Sequence, residues 1–203
     1  MLAVPIIEVH LSNVEEREEW RRQSVIKDLV AQRFIGEGPD GYRLATRAYR
    51  LAGRLGLPVL SLVDTPGADP GPAAERDGIA PAMGEAMTAL LGCSSPTVAL
   101  VHGEGGSGGA LAAGTADLVL VGPDAYFAPI GPEGATAALR RPKEECADRM
   151  RITPADLLAL GFADTAGGPE DLSGAVDRLL AVPQEERLAA RRRRWAGPLP
   201  GAL

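Results

Sequence analysis

Apolar residues recur at three- and four-residue spacing through 40–55, where Tyr42, Ala45, Ala48, Tyr49, Ala52 and Leu55 fall on one face. That period predicts an amphipathic helix, which Gly56 stops and Pro58 bars from continuing. Runs rich in apolar residues follow at 59–63 (VLSLV), 97–101 (TVALV) and 117–121 (DLVLV), as in strands of a parallel sheet buried on both faces. A helix is predicted over 79–91, and the order strand, loop, helix, strand implies βα alternation around a core sheet. The loop at 64–71 (DTPGADPG) is expected to be neither helix nor strand.

Nearer the start, 4–9 and 29–35 read as strands, with a charge-dense helix at 14–22 capped by Ser12 or Asn13. Towards the end, short helices are predicted at 110–116, 133–140, 154–160 and 171–180, and a short strand at 126–130. A basic helix is predicted at 185–194, ending at Trp195. The chain divides into a strand-helix-strand segment (1–38), a main α/β domain (39–183) and a basic helix with its tail (184–203).

Composition narrows the function. Only 4% of the 203 residues are aromatic, so Ala, Val, Leu and Ile must build the core. A net charge of −6 argues against a general nucleic-acid binder. Cys93 and Cys146 are the only cysteines and form no Cys-x-x-Cys. A structural zinc site and a disulfide framework are therefore not expected, and a reducing, cytoplasmic setting is. The N-terminus lacks the pattern of a signal peptide, and the uncharged stretch 86–103 is broken by Cys93-Ser94-Ser95-Pro96, so no membrane span is expected.

Chemistry is expected at His102-Gly-Glu-Gly-Gly-Ser-Gly-Gly-Ala110, which joins an apolar strand to a helix of small residues. Glycines permit positive φ and let bare N–H groups approach a ligand. At a helix start those groups are unpaired and lie at the positive end of the dipole, which suits an anion or a developing oxyanion. No lysine follows, so a P-loop is not expected here; a Gly-x-Gly-x-x-Gly match at 103–108 lacks the acidic residue of a dinucleotide site. A plain glycine turn is the bland alternative.

Four segments in order resemble the carboxyltransferase alpha subunit of bacterial acetyl-CoA carboxylase. They are Asp64-Thr-Pro-Gly-Ala-Asp-Pro-Gly71, Gly103-Glu-Gly-Gly-Ser-Gly-Gly-Ala-Leu111, Pro132-Glu-Gly-Ala135 and Met150-Arg-Ile-Thr-Pro-Ala-Asp-Leu-Leu-Ala-Leu-Gly161. The likeness runs over about 40–164. It implies a crotonase-like spiral of ββα units and transfer of a carboxyl group from carboxybiotin to acetyl-CoA, giving malonyl-CoA. By the same resemblance, the amides of Gly108 and Gly109 hold the biotin oxyanion. Gly105, Gly106, Ala110 and Gly67 support the substrate site, and Gly134 and Ala135 shape the biotin pocket. A beta subunit supplies a second oxyanion hole, a biotin carboxyl carrier protein delivers the cofactor, and no metal belongs to this chain. Asp69 stands where the family has tyrosine, and the connection 140–149 reads as shorter than the family's helix.

The segment Pro5-Ile-Ile-Glu-Val-His-Leu-Ser-Asn13, with Arg17-Glu-Glu-Trp-Arg21 and Gly41-Tyr-Arg-Leu-Ala45, resembles the C-terminal part of type II 3-dehydroquinate dehydratase, a flavodoxin-like enzyme. His10, Ser12, Arg17 and Arg21 fall on its substrate-site positions. That enzyme's catalytic tyrosine and an arginine come from a half without a counterpart here, so the segment is expected to complete a sheet. The rival readings are malonyl decarboxylation on the same scaffold, a residual lyase, and a non-catalytic assembly subunit.

Other residues are expected to be structural. His102 borders the loop as a candidate general base, with a buried structural role preferred. Glu104 orders the loop or polarises a donor. Cys93 is expected to be a buried thiol rather than a nucleophile. The run Arg191–Arg194 is expected on a solvated helix face, with CoA phosphates or an acidic partner surface as alternatives.

Overall fold

The computed structural model describes residues 7–10, 19, 28, 32–35, 37–69 and 71–196. Strands β1 (Ile7–His10) and β2 (Gln32–Ile35) form a small parallel pair, with Ile7 opposite Gln32 and His10 opposite Ile35. The helix expected over 14–22 lies outside the described residues except for Glu19, as do Ser12, Arg17 and Arg21.

Helix α1 (Pro39–Leu55) follows the predicted period. Its proline sits in the first turn, and Gly56 ends it in the left-handed conformation with its N–H on the carbonyl of Ala52. Strand β3 (Val59–Thr65) includes Asp64 and Thr65, which were expected in the loop. Past a turn and the short helix α2 (Pro72–Arg76), α3 (Ile79–Leu91) packs on α1. Its buried side is mostly small: Ala82 and Ala86 meet Tyr42 and Tyr49 in one apolar cluster with Ile79 and Leu90.

Strand β4 (Thr97–Gly106) organises the rest. Its first half is buried on both faces, because β4 lies between β3 and β5 (Leu118–Val121) in a parallel sheet. Ala99 and Val101 join Val63, Val119 and Val121 on one face. Val98 and Leu100 join Leu120 on the other, under Leu172, Ala175 and Leu179 of α8 (Leu172–Leu180).

Beyond Val101 the partners change. Val63 pairs with Val101 but Thr65 pairs with Gly105, so β4 bulges between those points. Its end, Glu104 to Gly106, then pairs with β6 (Tyr126–Ala128). The glycine-rich stretch is therefore strand as far as Gly106, and α4 (Ser107–Gly114) begins earlier than predicted. His102 is exposed at the bulge, not buried as expected.

Helices α5 (Pro132–Leu139), α6 (Lys143–Met150) and α7 (Pro154–Ala159) follow, then β7 (Thr165–Ala166), which pairs with β5. The connection 140–149, expected to be shorter than the family's helix, contains most of α6. Its charged sequence KEECADRM hides only Cys146, so apolar periodicity could not reveal it.

The C-terminal helix α9 (Gln184–Ala196) corrects a second expectation. Arg191 is fully buried and grips Asp117 with two bonds, Nε to Oδ1 at 2.7 Å and Nη2 to Oδ2 at 2.6 Å. It also donates to the carbonyls of Leu90, Cys93 and Ser95, where α3 ends. Arg187 donates to the carbonyl of Ser94 at 2.6 Å, and Arg194 to Asp164 at 2.7 Å. Only Arg192 and Arg193 of the run are exposed. Arginine spacing of three and four places 187, 191 and 194 on one helix face, and that face is the buried one.

Candidate functional site

The sharp step from β4 into α4 makes the site. Among residues 103–109 the positive φ belongs to Ser107, at 51°, and not to any of the glycines. The glycines serve close approach instead. A Cβ on Gly106 would lie 2.1 Å from the carbonyl oxygen of Pro66, and one on Gly105 would lie 2.6 Å from the Phe127 ring. At Gly109 it would lie 2.9 Å from the Tyr42 hydroxyl and 3.1 Å from the backbone of Gly67 and Ala68. Gly67, itself at φ 125°, packs its turn against Gly106. The structure thus gathers Gly67, Gly105, Gly106, Gly108 and Gly109 in one place, with Ala110 buried beneath them.

Gly108 and Gly109 occupy the first turn of α4, where no intrahelical acceptor is in reach. Among the described residues neither amide finds a loop carbonyl or a side-chain acceptor. Both lie at the positive end of the helix, Gly108 partly exposed and Gly109 buried. Gly108 opens onto a cleft of about 340 Å³. Leu111, Phe127, Leu157 and Phe162 give it apolar walls, while Ser107 and Arg151 give it polar points. Phe127 stacks on Phe162 at 4.3 Å between ring centroids, and Phe162 meets Trp195 of α9 edge-on at 5.8 Å.

Gly134 and Ala135 lie in the first turn of α5 and are not part of this cleft's wall. Asp69 accepts the Gly71 N–H at 2.7 Å, so it fastens its own turn. Asp64 accepts the Glu104 N–H at 2.9 Å across the bulge, and the Tyr126 hydroxyl donates to Glu104 at 3.3 Å. Glu104 thus orders the strand end, in line with its expected role. Burial and the Glu104 charge push the Tyr126 hydroxyl up to about 12. Cys93 is buried, its thiol donating to the Tyr49 carbonyl, and burial raises its pKa, which keeps it a protonated thiol. His10 ends β1; the other dehydratase-like positions lie outside the described residues.

Sequence reasoning missed Arg151, Ser107 and Tyr42. The Tyr42 hydroxyl is buried, has no hydrogen-bond partner among the described residues, and lies behind the first turn of α4; burial drives its pKa upward. Ser107 carried a signal, since it is the central serine of Gly105-Gly-Ser-Gly-Gly109, a strand-to-helix elbow pattern. Arg151 lies in the segment 150–161 that carries the resemblance and Tyr42 on the apolar face of 40–55, but neither pattern placed them beside the glycine stretch. Among the described residues there is no cluster of His, Cys, Asp and Glu able to hold a metal, and no helix long and apolar enough to cross a membrane.

Residues 21–186 match the model of a family described as acetyl co-enzyme A carboxylase carboxyltransferase-like. The acetyl-coenzyme A carboxylase carboxyl transferase subunit alpha of Sorangium cellulosum is 44% identical over 162 residues, covering 75% of this chain and 51% of that protein. The protein named for subunits beta/alpha in Salinispora tropica is 48% identical over 140 residues, covering 68% and 25%. The chain thus spans about half, or less, of the length of these relatives. A malonate decarboxylase hetero-dimer of Pseudomonas superposes with a TM-score of 0.63 at 22% identity, covering 78% of this chain and 74% of that one. That likeness concerns the fold, which is crotonase-like, as expected. The extent of the family match and the identity to its curated relatives establish that this chain belongs to the acetyl co-enzyme A carboxylase carboxyltransferase-like family.

Proposed function

We propose that the chain is the alpha half of a biotin-dependent acetyl-CoA carboxylase carboxyltransferase, moving a carboxyl group from carboxybiotin to acetyl-CoA to give malonyl-CoA. The observation that carries this is the first turn of α4, with the amides of Gly108 and Gly109 at its start and Gly108 at the head of an apolar cleft. A flat, mostly apolar ring with one polar oxygen fits such a lining: Leu111, Phe127 and Phe162 match its faces, and the two amides match its oxygen. Biotin, when bound, supplies the ureido nitrogen that carries the carboxyl group.

The chain's own part is electrostatic. The Gly108 and Gly109 N–H groups and the α4 dipole stabilise negative charge on an oxygen held at the helix start, each donor being worth roughly 2–4 kcal/mol. They are fixed beforehand, since Gly106 and Gly109 lock the turn against residues 66–68. Apolar walls keep water away, which strengthens those bonds. No side chain of this chain has to shuttle a proton.

The second oxyanion hole belongs, in this reading, to a beta subunit, and the carboxyl group arrives on a carrier protein; the assembly is a cytoplasmic hetero-oligomer. The relative named for subunits beta/alpha supports the pairing.

The test is carboxyl transfer from malonyl-CoA to biocytin, with the chain alone and with a matching beta subunit. Transfer only in the mixture is the expected result; none in either, from a chain that binds beta, supports an assembly role. Gly108→Val sharpens it. A Cβ there meets only the flexible tip of Met83, at 3.2 Å from its sulfur, so the chain should fold while the added methyls cover the amides. The rate is expected to fall about 100-fold, the worth of one oxyanion donor.

A further inference from the structure

We propose that Arg151 is a substrate-positioning residue whose guanidinium holds the carboxylate being transferred, in the cleft that begins at Ser107 and Gly108. The identity of that carboxylate rests on the function proposed above; the existence of a carboxylate site does not.

The backbone gives the first argument. Arg151 follows the last residue of α6 with φ 53°, a left-handed conformation that glycine or asparagine adopts more readily. A large side chain kept on a strained backbone points to use of that side chain. The described residues other than glycine with positive φ are Ser107, Arg140 and Arg151, and two of them line this cleft.

Charge gives the second. Arg151 is the charged residue of the cleft lining, facing walls that are otherwise almost entirely apolar. Apolar surroundings strengthen its attraction for an anion relative to open solvent.

Hydrogen bonding gives the third. Asp156 accepts Arg151 Nε at 3.4 Å through Oδ1, while its Oδ2 accepts the Thr153 hydroxyl at 2.7 Å. Thr153 also caps α7, accepting the Asp156 N–H. Asp156 is therefore held at two points and orients the guanidinium from its Nε side. The Thr153 hydroxyl first, then Arg151, keeps its carboxyl below the usual carboxylate range, so it stays ionised for this task. Nη1 and Nη2 of Arg151 have no partner among the described residues. Two parallel donors on a planar fork are the geometry that binds a carboxylate at both oxygens.

The labour divides accordingly. The amides of Gly108 and Gly109 serve an oxygen that becomes negative only as reaction proceeds. Arg151 serves a group that is anionic from the start and must be kept near the reacting centre.

The test is titration of the full chain with malonate, and with malonamide as the uncharged control, followed by the NMR signal of the Arg151 Nε–H. Malonate is expected to shift that signal and malonamide to leave it in place. Arg151→Gln should weaken malonate binding about tenfold or more, the worth of a hydrogen-bonded charge at a half-exposed site. Arg151→Lys should retain part of the affinity. Arg151→Gly relieves the backbone strain, so it should fold at least as well and still lose malonate binding. Equal malonate affinity in Arg151→Gln or Arg151→Gly would overturn the proposal. In the complex with a beta subunit, Arg151→Gln should lower turnover about tenfold with the biocytin KM within about twofold. A raised biocytin KM at unchanged turnover would place Arg151 on the uncharged ring and also overturn it. If the unsubstituted complex transfers nothing, the proposed function fails, and the malonate titration still decides whether Arg151 holds a carboxylate.

Discussion

At the α9 anchor all three guanidinium nitrogens of Arg191 have acceptors, and Asp117 beneath it also receives the Thr97 N–H at 2.9 Å. At the α4 cleft the amides of Gly108 and Gly109 sit in the first helical turn, and among the described residues the Nη groups of Arg151 and the buried Tyr42 hydroxyl have no hydrogen-bond partner. The same chemical groups are spent on stability in one region and held ready in the other. The chain of rings from Phe127 through Phe162 to Trp195 joins the two, so the anchor also backs one wall of the cleft. A buried polar group without a partner is costly in a folded protein; the Tyr42 hydroxyl is such a group at the cleft, and Arg187 Nε and Arg194 Nε are such groups at the anchor.

The largest expected effect lies at the anchor. Arg191→Ala leaves Asp117 buried without its main counter-charge and uncaps the end of α3. About 3–5 kcal/mol of unfolding free energy should be lost, as for other buried pairs broken from one side. Urea unfolding measures it. Arg193→Ala, on the exposed face of the same helix, should change stability by no more than about 0.5 kcal/mol. Similar losses for both would remove the distinction between anchor and solvated face.

The three tyrosines sharpen the comparison through pH. Burial is the main cause in each, raising Tyr49 and Tyr126 to about 12 and Tyr42 further. Unfolded tyrosines ionise near pH 10, so the folded state binds more protons above that point. Stability should therefore be intact below pH 10 and fall as pH rises from 10 to 12. Tyr49, only 7% exposed, would account for roughly 2–3 kcal/mol of that fall. Absorbance at 295 nm should show tyrosinate appearing together with unfolding, above pH 11. Tyrosinate near pH 10 in a still-folded chain would mean that the region around Tyr42 and Gly109 is open to solvent.

Much of this fold was legible along the chain. The period of α1 and the bounds of α3 follow directly from apolar spacing and glycine stops, because both helices bury one face against the other. The glycine stretch was expected to serve through positive φ and through bare N–H groups brought against a ligand, and the structure adds a third use, close approach of the chain to itself. Glycine suggests positive φ, whereas residues 105, 106 and 109 are glycines because backbone from 66–68, or the Phe127 ring, lies where a Cβ would be. Such contacts join segments far apart in sequence, and no local pattern announces them. The arginine tail misled for a similar reason. A run of four charges reads as solvated, and the buried Asp117 that reverses this lies 74 positions away. Arg151 stood in a segment that carried the resemblance, yet its place at the cleft was hidden for the same cause, since only the folded chain brings the end of α6 beside the start of α4.

The smallest effect concerns Ser107 and asks whether the cleft's strain is retained for use. At φ 51° a residue with a Cβ is held in a conformation that costs about 1 kcal/mol relative to glycine. Ser107→Gly should therefore raise the urea midpoint, with a gain of about 1 kcal/mol less whatever freedom glycine adds to the unfolded chain. The amides of Gly108 and Gly109 stay where they are in this variant, but the hydroxyl at the mouth of the cleft is lost and the turn loosens. A gain in stability accompanied by slower carboxyl transfer would mark the elbow as strain kept for function, the counterpart of Arg191 with all three of its nitrogens engaged. A gain with the rate unchanged would show that position 107 merely tolerates serine, and that the preparation of this site lies in the glycine contacts alone.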